Sequence, residues 1–172
     1  MSFIQVRKAP PIESEAELLA FFEHAGKPED RHRVGIELEK LAANPRTGEA
    51  ITYEGSDGID AVLRRMARFP CYEPTYEGER LVLLTCGSRT IGLEPGGQIE
   101  LSGTPYARLA HVGAELELHL RELCEASIGL PLAWLAIGEH PIAPLASIPW
   151  VEKERYRIMA DYLAPAACSA TT

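Results

Sequence analysis

Apolar residues change their spacing along the chain, and each change marks an element. Ser14-Glu15-Ala16-Glu17 has the form of a capping box, with Leu18, Leu19 and Phe22 as the apolar side of the helix it opens; Gly26 and Pro28 end it. Val34, Ile36 and Leu38 then alternate with polar neighbours, which predicts a strand over 33–42. A turn at 44–48 allows a return strand over 49–54. Ser56 or Asp57 caps a helix striped by Ile59, Val62, Leu63, Met66 and Phe69, stopped at Pro70. Short strands follow at 72–77, 80–86, 89–93 and 97–102, with Gly78 and Gly87-Ser88 as turns. Thr104 as N-cap and Pro105 at the first helical position open the longest helix, with Leu109, Val112, Leu116, Leu120 and Leu123 as its stripe. A buried strand over 132–138, a Pro-rich loop over 141–149 and a helix over 152–163 complete the pattern, between an irregular arm (1–12) and a small-residue tail (165–172). Clustered strands with helices between them predict an α+β fold with an antiparallel sheet.

Leu93 to Gly103 reads Leu-Glu-Pro-Gly-Gly-Gln-Ile-Glu-Leu-Ser-Gly. It places Glu94 and Glu100 on either side of a Pro-Gly-Gly turn. On the strand after the turn, Ile99 and Leu101 face a core, while Gln98, Glu100 and Ser102 share the other face. The strand at 33–42 has the same grammar, with Glu37 and Glu39 on its polar side, roughly 7 Å apart along the strand. Either these faces are solvated, or they line a cavity and require a cation between the carboxylates. Hard divalent ions such as Mg²⁺ or Mn²⁺ suit carboxylate oxygens.

The chain has 172 residues, enough for one domain with a core. A formal net charge of −8 and the lack of a basic stripe argue against a nucleic-acid surface. Cys71, Cys86, Cys124 and Cys168 show no CxxC spacing and read as reduced thiols of a cytoplasmic protein. No long apolar run predicts a membrane span. His111 and His119 fall on a charged helix and are expected in solvent; Cys86, in the meander, is expected to pack.

Three blocks resemble the glutamate–cysteine ligase family of the plant and proteobacterial type. They are Gly35-Ile36-Glu37-Leu38-Glu39-Lys40, the run Leu93 to Gly103, and Arg155-Tyr156-Arg157-Ile158-Met159 with Tyr162. The resemblance covers roughly residues 14–165, and the second block is the most specific. It implies a glutamine-synthetase-like fold with a curved antiparallel sheet and flanking helices. It also implies ATP-dependent joining of the γ-carboxyl of L-glutamate to the amine of L-cysteine, through a γ-glutamyl phosphate, as the first step of glutathione synthesis.

On this resemblance Glu37, Glu39 and Glu100, with Glu94 behind them, are expected to hold Mg²⁺ or Mn²⁺. Gln98 and Ser102 are expected substrate contacts. Arg155 either pairs with a substrate carboxylate or makes a surface ion pair with Glu152 or Asp161. Tyr156 and Met159 fit a core equally well. Members of the family continue past this length, so residues 1–172 are expected to be the N-terminal portion of one catalytic domain, inactive alone. A related ligase with another amine acceptor, or a non-catalytic piece that binds glutamate or metal, remains open. The oligomeric state is not legible.

Overall fold

A computed structural model gives the structure, described here for residues 11–151 and 153–169. Six strands form one antiparallel sheet: β1 (Glu37–Ala43), β2 (Glu73–Glu77), β3 (Arg80–Cys86), β4 (Arg89–Leu93), β5 (Ile99–Ser102) and β6 (Ala133–Leu135). Their order is β2-β3-β4-β5-β1-β6. β2 to β5 are a meander, and β1 enters between β5 and β6. Gly78 and Gly87 take φ of 62° at the two tight hairpins, a left-handed conformation that favours glycine.

Register decides the faces. Leu38 stands opposite Leu101, Leu101 opposite Ile91, and Ile91 opposite Leu84. Directly opposed residues share a face, so these four line one side of the sheet. Helix α2 (Ile59–Met66) contributes Ile59, Val62, Leu63 and Met66 to the same core, all fully buried. Helix α3 (Leu109–Ala126) adds Leu123 and Ala126. The other side carries Glu37, Glu39, Glu100 and Ser102.

Several local signals are overridden by tertiary bonds. The expected helix start at Thr104-Pro105 is extended chain instead. Tyr106 exchanges backbone hydrogen bonds with Val34 (2.9 and 2.8 Å), and α3 begins only at Leu109. The first amides of α2 donate to the carbonyls of Thr52 and Tyr53, so neither Ser56 nor Asp57 caps it. The return strand over 49–54 reduces to a single bridge, Ala43 to Ala50. The buried strand expected over 132–138 has three half-buried residues.

Helix α1 (Glu15–Ala25) is capped as predicted, Ser14 Oγ accepting from Glu17 N at 3.2 Å, yet none of its residues is buried. Helix α4 (Glu154–Ser169) runs into the expected tail, where Ala166 and Ala167 favour helix. Most of the expected arm, and residues 170–172, lie outside the described residues.

Two side-chain expectations are corrected. His119 is fully buried, because the buried stripe of α3 is Val112, Glu115, His119, Leu123 and Ala126 rather than one starting at Leu109. Cys71 and Cys86 form a disulfide, since the end of β3 returns beside the chain entering β2; Cys124 is free and exposed.

Candidate active site

The acidic face is built by pairing β1 with β5. Glu39 stands opposite Glu100, and Glu37 opposite Ser102. Across β5, Glu100 faces Gly92 and Ser102 faces Thr90. A Cβ at Gly92 would meet Glu100 Oε2 at 3.9 Å, so glycine leaves open space beside that carboxylate. Gly103 has a different reason: a Cβ there would meet Glu115 Oε2 at 2.8 Å and the Ile36 carbonyl at 3.1 Å. Glu115 itself accepts from Thr104 N at 2.8 Å, which fixes the strand end to α3.

The Pro-Gly-Gly turn closes through Gly97 N donating to Glu94 O and Glu94 N donating to Gln98 O, both at 3.0 Å. Gly97 is left-handed at φ 79°. This places Glu94 beside the strand face. Burial holds its carboxyl above the usual range, and Glu100 and Glu39 push it further up, against the pull of Arg155. Three of the four predicted carboxylates therefore share one field. Gln98 lies at the same turn, its Oε1 buried and without a hydrogen-bond partner among the described residues.

The start of α4 supplies the opposite sign. Arg155 Nη2 lies 3.9 Å from Glu94 Oε1. Of its expected surface partners, Asp161 pairs instead with Arg157 at 3.7 Å, and Glu152 lies outside the described residues. Tyr156 is fully buried, its ring 4.9 Å from the Arg155 guanidinium. Burial, then Glu94, pushes its hydroxyl up to about 12. Met159 is 39% exposed and so is not core.

Sequence reasoning missed Lys153. It is 8% exposed and lines a small cleft with Thr90, Glu94, Glu100, Arg155 and Tyr156. Its neighbours Glu152 and Glu154 suggest an ordinary surface lysine; the only hint was its place between the buried Val151 and Tyr156.

Carboxylates on one rigid face fit a hard divalent cation chemically. Among the described residues no three His, Cys, Asp or Glu side chains are gathered closely enough to hold a metal ion by themselves.

The opposite side of the sheet holds a separate polar cluster. Arg89 Nη2 donates to both oxygens of Glu122 (3.1 and 3.2 Å), and Tyr72 donates to Glu122 at 2.6 Å. A cleft of about 620 Å³ lined by Cys71, Cys86, Arg89, Tyr106, His111 and Glu115 opens there, away from the acidic face.

The Glutamate-cysteine ligase family 2 (GCS2) profile matches residues 33–168. The chain is 32% identical over 167 residues to the chloroplastic glutamate–cysteine ligase of Arabidopsis thaliana, covering 92% of this chain and 31% of that protein. It is 33% identical over 158 residues to chloroplastic glutamate–cysteine ligase B of Oryza sativa subsp. japonica, and 33% identical over 155 residues to the chloroplastic enzyme of Nicotiana tabacum. It covers 92% and 90% of itself in these matches, and 31% and 29% of those relatives. The chain thus spans about a third of the length of the curated relatives it matches. Their names also correct the cytoplasmic expectation, since each of these relatives is named as chloroplastic. The matched region contains β1, the Pro-Gly-Gly strand and the start of α4, and the chain belongs to glutamate–cysteine ligase family 2.

Proposed function

We propose that the acidic face and the start of α4 form part of the active site of an ATP-dependent ligase. It joins the γ-carboxyl of L-glutamate to the amine of L-cysteine, the reaction that opens glutathione synthesis. The observation that carries this reading is the two-signed site. Glu39 opposes Glu100 on the sheet, while Arg155 stands over Glu94 at its edge. Within the proposed domain, which continues a glutamine-synthetase-like fold, residues 1–172 are the N-terminal portion.

One or two of the carboxylates Glu37, Glu39, Glu100 and Glu94 would hold Mg²⁺ or Mn²⁺, with water and substrate phosphate oxygens completing the shell. The ion, when bound, offsets phosphate charge and charge developing during phosphoryl transfer. Arg155 suits bidentate recognition of a glutamate carboxylate. Releasing Glu94 to a cation would free the guanidinium for that substrate. Gln98 and Ser102 border the same strand face and orient the substrate by hydrogen bonds; Gln98 Oε1, without a partner among the described residues, is an acceptor for an ammonium or amide. Activation of the γ-carboxylate as an acyl phosphate gives a leaving group that the incoming amine displaces.

The test uses the protein isolated from its source cells, incubated with ATP, Mg²⁺, L-glutamate and L-cysteine. Mass spectrometry should find a γ-glutamyl bond to cysteine, and hydroxylamine should trap the activated glutamate as a hydroxamate. Preference for a different amine points to a related ligase. Heat of glutamate binding without turnover supports a binding piece, and neither binding nor turnover contradicts the whole reading.

A further inference from the structure

We infer that Lys153 is a positioning residue that locks the Pro-Gly-Gly hairpin to the start of α4 and so fixes Arg155 relative to Glu94. This rests on the reading of Arg155 as a carboxylate receptor. It concerns a residue outside the three blocks that carry the family resemblance.

β3–β4 pairing ends at Leu83 opposite Gly92, so the Leu93 carbonyl lies beyond the last β3 partner. Its partners come from the residue before α4 and from the first turn of that helix. Lys153 Nζ donates to it at 3.0 Å, and Tyr156 Oη donates to it as well. Val151 N donates to the Pro95 carbonyl at 2.8 Å. Three bonds therefore tie residues 151–156 to the turn at 93–95.

A buried ammonium is costly to hold at this place, which argues that it is retained for more than packing. Burial, then the neighbouring Arg155, works against its charge; Glu77, Glu94 and Glu100 support it. Lys153 Nζ and the Arg155 guanidinium both sit close to the Tyr156 ring, at 5.0 and 4.9 Å. Tyr156 is fixed by the same carbonyl that Lys153 holds. The chain of contacts therefore runs from Lys153 through Leu93 and Tyr156 to Arg155, which reaches Glu94 at 3.9 Å. Removing the ammonium frees one end of this chain and lets Arg155 drift from the cleft.

The experiment compares the whole chain with Lys153→Met and Lys153→Arg. Methionine fills the buried volume without charge or donor, so the fold is expected to persist. Hydrogen exchange should quicken at least tenfold in Lys153→Met at the amides of Glu94, Gly97 and Val151, with the amides of α2 unchanged. Calorimetry with L-glutamate and Mg²⁺ should show at least tenfold weaker binding in Lys153→Met and recovery of most of the affinity in Lys153→Arg. Unchanged exchange at Glu94, Gly97 and Val151 overturns the clamp, whether or not glutamate binds. Wild-type affinity in Lys153→Met, where the parent chain binds glutamate, overturns the positioning role. A parent chain that does not bind glutamate counts against the ligase reading, and the exchange result alone then decides the clamp.

Discussion

Glu39 of β1 and Glu100 of β5 stand directly opposite each other across an antiparallel pair, on a face that also carries Glu37. Directly opposed Cβ atoms lie roughly 4.5–5.5 Å apart, and like charges so placed cost about 0.2–1 kcal/mol. A sheet selected for stability alone has no use for this pairing. In metal-free buffer with a chelator, Glu39→Gln should therefore be as stable as the parent or more stable, by up to about 1 kcal/mol in urea unfolding. A clear loss of stability would mean that the Glu39 carboxylate is a structural partner instead.

His119 gives the fold a defined acid sensitivity. Burial, then the cations Arg89 and Lys40, lowers its pKa from 6.5 to about 4. Neither ring nitrogen has a hydrogen-bond partner among the described residues. The unfolded chain takes up this proton near 6.5 and the folded chain only near 4, so stability is full above 6.5 and falls as pH drops toward 4. Between pH 7 and pH 5 this group should cost about 2 kcal/mol. His119→Leu should remove that part of the pH dependence of the urea midpoint while the carboxylate part stays.

Arg65 reaches from α2 to the end of α3, donating to the carbonyls of Ala126 at 3.1 Å and Ile128 at 2.8 Å. These lie at and just beyond the helix C-terminus, where carbonyls lack intrahelical partners. Arg65→Met should lower stability by about 1–3 kcal/mol. Faster hydrogen exchange should be concentrated in the last turn of α3.

The Cys71–Cys86 bond closes a sequence separation of 15 residues across β2 and β3. A loop of that size is worth about 3 kcal/mol in the chain-entropy account. Reduction should lower the thermal midpoint, and Cys71→Ser in oxidising buffer should reproduce the midpoint of the reduced parent. Equal midpoints for oxidised and reduced parent would show that the bond contributes no stability.

The strands of the meander were legible because period-two alternation and the Gly78 and Gly87 turns agree with the final pairing. The shared face of Glu37, Glu39, Glu100 and Ser102 followed from the same alternation. Which carboxylate opposes which did not, because register is a property of two strands. Thr104-Pro105 carries a sound helix-start signal, yet the bridge from Val34 to Tyr106 and the bond from Thr104 N to Glu115 hold that stretch extended. Cysteine spacing cannot report a pairing made by a hairpin returning. Lys153 looks like surface because its burial depends on the Leu93 carbonyl, 60 residues away in sequence.

The most direct measurement is calorimetric titration of Mg²⁺ into the chain, repeated with Glu39→Gln and Glu100→Gln. The account predicts saturable heat for the parent and at least tenfold weaker binding in each variant, a difference of about 1.4 kcal/mol, with the folds intact by circular dichroism. No Mg²⁺ heat in the parent, or parent-like binding in both variants, would contradict the assignment of this sheet face as the metal-holding part of a ligase site.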